Sequence, residues 1–204
     1  MRHIRLMRQI SGTDEFIAAI EPARAELATR MKTTQSAFEN KTSTYDLMVL
    51  GSSLLDNKIR NLSDDCSQYD RNNPGRPVYL LVFPDGKISN LLRTKMEDKP
   101  TMAASLVKRI EALGPEHPLA VHIASINQGI ANLNEAITNN QLAIEQFKSV
   151  STLENIAKLA LIKQYELNYL DASKKFGKKY ADHFFPKLTS SSGGNNGDSN
   201  EEKK

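Results

Sequence analysis

The residues best equipped for chemistry are four histidines, one cysteine and a short run of acids, and their spacing argues against a catalytic centre. His3, His117, His122 and His183 show no H-E-x-x-H or comparable metal-ligand spacing. His117 falls in a loop and His122 one turn into the next helix, a separation poorly suited to one helical face. Asp64, Asp65 and Asp70 could approach one another at a helix end, but solvated acids around a turn are the commoner arrangement. No phosphate-cradling G-x-x-x-x-G-K-[ST], dinucleotide G-x-G-x-x-G or nucleophile-elbow G-x-S-x-G motif occurs. The sequence therefore designates no catalytic, cofactor-binding or metal-ligating residue, and a non-enzymatic protein is the expectation. Cys66, the single cysteine, excludes an intrachain disulfide and lies where a buried, inert thiol is expected.

Basic residues offer a second kind of chemistry. Lys174, Lys175, Lys178 and Lys179 surround Gly177, but lysines late in a helix also complement its negative end. The formal net charge is only +3, and neither zinc-finger spacing nor an RNP aromatic pair is present. A nucleic-acid partner is disfavoured. No stretch reaches the roughly 18 apolar residues of a membrane span. The arm MRHIRLMRQISG is too short for firm peripheral membrane binding, so such contact is weakly supported. Two glycosylation sequons, at Asn40 and Asn61, fall inside a helical pattern and read as chance matches. The compartment stays open, with the cytoplasm favoured.

The elements that would carry these residues are dominated by one pattern. From Ile20 through Leu27, Met31, Phe38, Tyr45, Met48, Leu55, Ile59, Leu62 and Cys66 to Tyr69, apolar residues keep a 4-3 rhythm. No proline interrupts it after Pro22. A helix with one such stripe must bury it against a partner. Leu119, Ile123, Ile126, Ile130, Leu133, Ile137, Asn140, Ile144 and Phe147 repeat the rhythm, which changes near residue 151 and resumes through Ile162, Tyr165, Tyr169, Ala172 and Phe176. The two stretches are of comparable length, roughly 85 and 100 Å at 1.5 Å per residue. They predict a long antiparallel hairpin.

Between them the character changes. Asp70 to Gly75 is a turn cluster; Pro77–Phe83 is a β-rich run, Asp85-Gly86 a turn signal, and Ile88–Leu92 a candidate returning strand. The expected organisation is a flexible arm at 1–12, an outgoing helix at 13–69 and a β-hairpin insert at 70–98. A short helix at 99–114, a return helix at 115–186 that is continuous or gently broken near 151, and a disordered tail at 187–204 complete it. The fold class is mainly α: a coiled-coil-like helical hairpin with a short third helix and a small β-hairpin. A compact four-helix bundle is the rival if Pro22, Gly51 and the region near 151 are true breaks.

Two surfaces invite contact. The insert is modestly basic, making Arg76, Tyr79, Lys87 and Arg93 a candidate contact surface. Leu47, Leu50 and Leu54 are apolar positions off the seam, and with the seam residue Asn140 they form a candidate helix interface. No Lys or Arg occurs between Arg109 and Lys148, where asparagine and glutamine prevail, as suits a helix that packs against something. The expected function is a non-enzymatic scaffold or adaptor with a protein partner and self-association. The alternative is a helical sensory domain holding a small ligand near the insert. No cofactor is implied.

Overall fold

In a computed structural model the chain is helical throughout the described residues, 2–185, with side chains described from residue 4 onward. The tail expected at 187–204, and the side chains of Arg2 and His3, lie outside them. Seven helices follow in order: α1 (Arg2–Met7), α2 (Asp14–Asn72), α3 (Tyr79–Val82), α4 (Ser89–Leu92), α5 (Lys99–Glu111), α6 (Val121–Phe176) and α7 (Lys178–Phe184), with a 3-10 turn at Pro118–Ala120 before α6. Helix α2 passes unbroken through Pro22 and Gly51, which removes the compact-bundle rival. The chain divides into two units, residues 30–154 and residues 1–29 with 155–204.

In the 30–154 unit, α2 and α6 form an antiparallel pair whose register can be read from facing residues. The Thr34 hydroxyl donates to the Val150 carbonyl, Phe38 meets Phe147, and Asn140 lies on Thr44. Further along, Gly51 faces Leu133, Gly129 faces Leu55, Lys58 reaches Ser125 and His122 reaches Asp65. Gly129 marks the closer of the two glycine crossings. A Cβ there would stand 3.0 Å from the Leu55 side chain and 3.1 Å from that of Lys58, so either neighbour would have to give by a few tenths of an ångström.

Helix α5 lies over part of this pair. Ala103, Leu106, Val107 and Ile110 join Leu55, Ile59, Leu62 and Cys66 of α2 and Leu119, Ile126 and Leu133 in one buried cluster. Each buried leucine, isoleucine or valine among them contributes about 1.5–3 kcal/mol by leaving water. The N-terminal end of α5 is pinned by Lys99. Its ammonium, only 3 % exposed, donates to Ser52 Oγ at 2.9 Å and to Asp56 Oδ2 at 2.8 Å, with Oδ1 at 2.7 Å completing the ion pair.

The expected β-hairpin is absent, and no strand occurs among the described residues. Pro77–Phe83 and Ile88–Leu92 instead hold the one-turn helices α3 and α4, joined through a turn at Gly86 (φ 67). Two causes override the local β-propensity. The Asp70 carboxylate, at the end of α2, accepts the Val78 N–H at 2.6 Å and the Tyr79 N–H at 3.1 Å, satisfying amides that a helix start leaves free. Val78, Val82, Phe83 and Leu91 then go into the same core as α5, a surface that does not require period-2 alternation. Arg109 of α5 fastens α3 by donating to the Val82 carbonyl at 3.2 Å.

Of the two courses expected near 151, continuous or gently broken, α6 takes the first and runs on to Phe176. The repeat holds every seventh residue from Ile126 through Leu133, Asn140 and Phe147 to Glu154. Leu153 and Ile156, in the stretch where the rhythm changes, are exposed.

In the other unit the buried residues of α6 are Ala157, Leu161, Tyr165, Asn168 and Ala172, while Ile162 is exposed. Of the expected seam, Tyr165 and Ala172 are buried and Tyr169 and Phe176 pack beside them, while Leu161 takes the place of Ile162. Phe16 and Ile20 of α2 join Leu161, Tyr165 and Ala172, and Asn168 donates its amide to the Phe16 carbonyl at 2.7 Å. The first residues, expected to form a loose arm, are the helix α1, whose Ile4 and Met7 bury against Ala181, Phe184 and Phe185. Gly177, at φ 86, ends α6 and allows the turn into α7.

Candidate functional site

The chemistry-bearing side chains are occupied in holding elements together. His122 Nε2 lies 2.7 Å from Asp65 Oδ2. His117 stacks on Tyr69 at 4.8 Å between ring centroids and accepts the Leu119 N–H on Nδ1. Asp70 caps α3, so Asp64, Asp65 and Asp70 do not converge on one centre. Among the described residues no group of three or more His, Cys, Asp and Glu is placed to hold a metal ion. Burial, and after it the charges of Asp70 and Asp65, pushes the Cys66 thiol up to about 12, leaving it protonated and unreactive at neutral pH. Lys174 pairs with Asp171, and Lys175 with Glu15 and the Gly12 carbonyl, which accounts for half of the lysine patch.

Of the four residues named on the insert, one is tied to the core and three are exposed. Tyr79 is half-buried: its ring packs on Phe83 and its hydroxyl lies 3.3 Å from Ser63 Oγ. Arg76, Lys87 and Arg93 are exposed, and no side-chain hydrogen bond joins them to Tyr79.

Two grooves of the α2/α6 pair in the 30–154 unit are lined by exposed apolar side chains. Met31, Phe38, Tyr45, Ser52, Ile59 and Cys66 recur every seven residues along α2 and so share one stripe. Under α5, Ser52, Ile59 and Cys66 are 5, 0 and 0 % exposed; beyond it, Met31, Phe38 and Tyr45 are 51, 46 and 49 % exposed. The stripe continues past the end of its cover. With Ile144 and Phe147 of α6, Phe38 and Tyr45 bound a groove of about 540 Å³ whose only charged lining residues are Lys41 and Lys148. Lys41 Nζ sits 5.1 Å from the Phe38 ring centroid and 4.5 Å from that of Phe147, a cation–π clasp. We call this the aromatic face.

A second groove, of about 580 Å³, is lined by Leu47, Leu50 and Leu54 of α2 and by Leu142 of α6. All four leucines are exposed over half or more of their surface. Asn132, Asn139 and Gln146 flank them at seven-residue spacing, and Glu135 is the only charged residue in the lining. This is the leucine face. Tyr45 and Leu47 are two residues apart, and so are Leu142 and Ile144, so each pair points about 200° apart on its helix. The two grooves therefore lie on opposite sides of the α2/α6 seam, and no residue lines both.

Asn140 belongs to the seam itself. It is buried, donating to the Lys41 carbonyl at 3.3 Å and to Thr44 Oγ1 at 3.2 Å. Leu47, Leu50 and Leu54 thus line an open groove, whereas Asn140 joins the two helices. The sequence reading missed the aromatic face because Phe38, Tyr45 and Phe147 keep the seam rhythm and read as buried. The available signal was the heptad stripe itself, together with the short length of the one helix available to cover it.

Comparison with family models, with curated proteins and with solved structures finds no match to this chain. What the fold defines is an all-helical protein built on a long antiparallel hairpin, α2 with α6, and several shorter helices. Among the described residues no helix is long and apolar enough to cross a membrane.

Proposed function

We propose that this chain is a non-enzymatic helical scaffold whose bare hairpin faces associate with other helices, including those of its own copies. The observation that carries this reading is the stripe that is buried at Ser52, Ile59 and Cys66 and exposed at Met31, Phe38 and Tyr45. Contiguous apolar surface flanked by polar residues marks an association site. An antiparallel helix pair with both flanks apolar matches half of a four-helix bundle. The non-enzymatic part is supported by the use of His122, Asp65, Asp70 and Lys99 as structural pins.

The ligand-binding alternative gains no comparable support. The insert that would hold a ligand contributes Val78, Val82, Phe83 and Leu91 to a packed core. Sedimentation velocity across the micromolar range tests the scaffold reading. A dimer or larger species that dissociates on dilution is expected, and a monomer throughout would overturn it.

A further inference from the structure

We propose that copies of this chain join head to tail, the leucine face of one seating on the aromatic face of the next. The inference rests on the scaffold reading and names its partner. The two grooves are similar in size, about 580 and 540 Å³, and each is framed by one stretch of α2 and one of α6. Their charges are opposite. Glu135 is the one charge lining the leucine face, and Lys41 and Lys148 are the charges lining the aromatic face.

A two-fold contact would set like faces together, bringing Glu135 toward Glu135 or Lys148 toward Lys148, and like charges disfavour such pairings. The head-to-tail contact sets Glu135 beside the lysines. It also lets the amides of Asn132, Asn139 and Gln146 meet the hydroxyls of Thr42 and Tyr45 while the leucines cover the rings. The chain's own tail does not fit either groove, because from Thr189 to Lys204 it consists of polar residues and glycine. Since the two faces lie on opposite sides of the seam, each added copy presents a fresh face. A heterologous contact of this kind closes into a ring or extends as an open array.

A complementation experiment separates this arrangement from any two-fold dimer. Leu50→Lys disables the leucine face and Tyr45→Glu the aromatic face; both positions are half-exposed, and far-UV circular dichroism verifies retained helix content. Leu50→Gln and Tyr45→Gln form a milder pair expected to give the same pattern. By sedimentation, the unsubstituted chain is expected to form concentration-dependent oligomers. Each variant alone should be monomeric, with association at least tenfold weaker. An equimolar mixture should give a 1:1 heterodimer, because each variant keeps the face the other lacks. If the unsubstituted chain is monomeric, both the scaffold reading and this inference fall. If it assembles but one variant still self-associates, or the mixture stays monomeric, the scaffold reading stands and the head-to-tail contact is overturned.

Discussion

Ile59 and Tyr45 occupy the same place in the repeat of α2, two heptads apart, yet one is sealed and the other half open to solvent. Both are apolar enough for a core. What separates them is α5, which lies over the stretch containing Ile59 and begins at Lys99, beside Ser52 and Asp56. Around Ile59 the seam is nearly all aliphatic. Around Tyr45 it turns to Thr34, Lys41, Thr44 and Asn140, and hydrogen bonds between the two helices replace some of the missing apolar burial. A two-helix layer can satisfy its polar seam, but it leaves its flanks uncovered. A third helix is what makes a heptad stripe into a core.

This contrast can be attacked first at the pin. Lys99→Ala should leave Asp56 without its partner and loosen α5 from α2, at a cost of about 3–5 kcal/mol. Urea unfolding at fixed protein concentration measures it, and Lys99→Met should recover much of the loss. The paired comparison comes next. Ile59→Ala should lower stability by about 2–5 kcal/mol, while Tyr45→Ala in the same stripe should cost no more than about 0.5 kcal/mol in the monomer. Equal costs would mean that α5 does not seal its stretch. The smallest effect concerns the glycines at the crossings. Gly51→Ala meets Leu133 at an ordinary 3.6 Å and should stabilise α2 by up to about 1 kcal/mol. Gly129→Ala should fall short of that gain, because the new Cβ stands 3.0 Å from the fully buried Leu55.

The hairpin was legible because a seven-residue repeat sustained over this length has few other solutions. The insert was not. Pro77 to Phe83 has strand-like composition without strand alternation, and its helical turn depends on a carboxylate at Asp70, eight residues before the first amide it receives. Neither feature can be weighed from local propensity. Leu47, Leu50 and Leu54 were visible as apolar positions off the seam, whereas Phe38 and Tyr45 were hidden within it. The repeat tells which residues share a face, but it says nothing of where a neighbouring helix stops.

The pairing of Ile4 and Met7 with Ala181, Phe184 and Phe185 bears on how the protein is completed as it leaves the ribosome. Ile4 and Met7 must wait for residues 181–185 to be made before they are shielded. Residues 30–154, in contrast, have all their internal contacts available before residues 155–185 are translated. The unit that pairs Ile4, Met7 and Phe16 with residues beyond 155 thus closes after the 30–154 unit, and until then Met7 and Phe16 are apolar groups that a nascent chain must keep shielded.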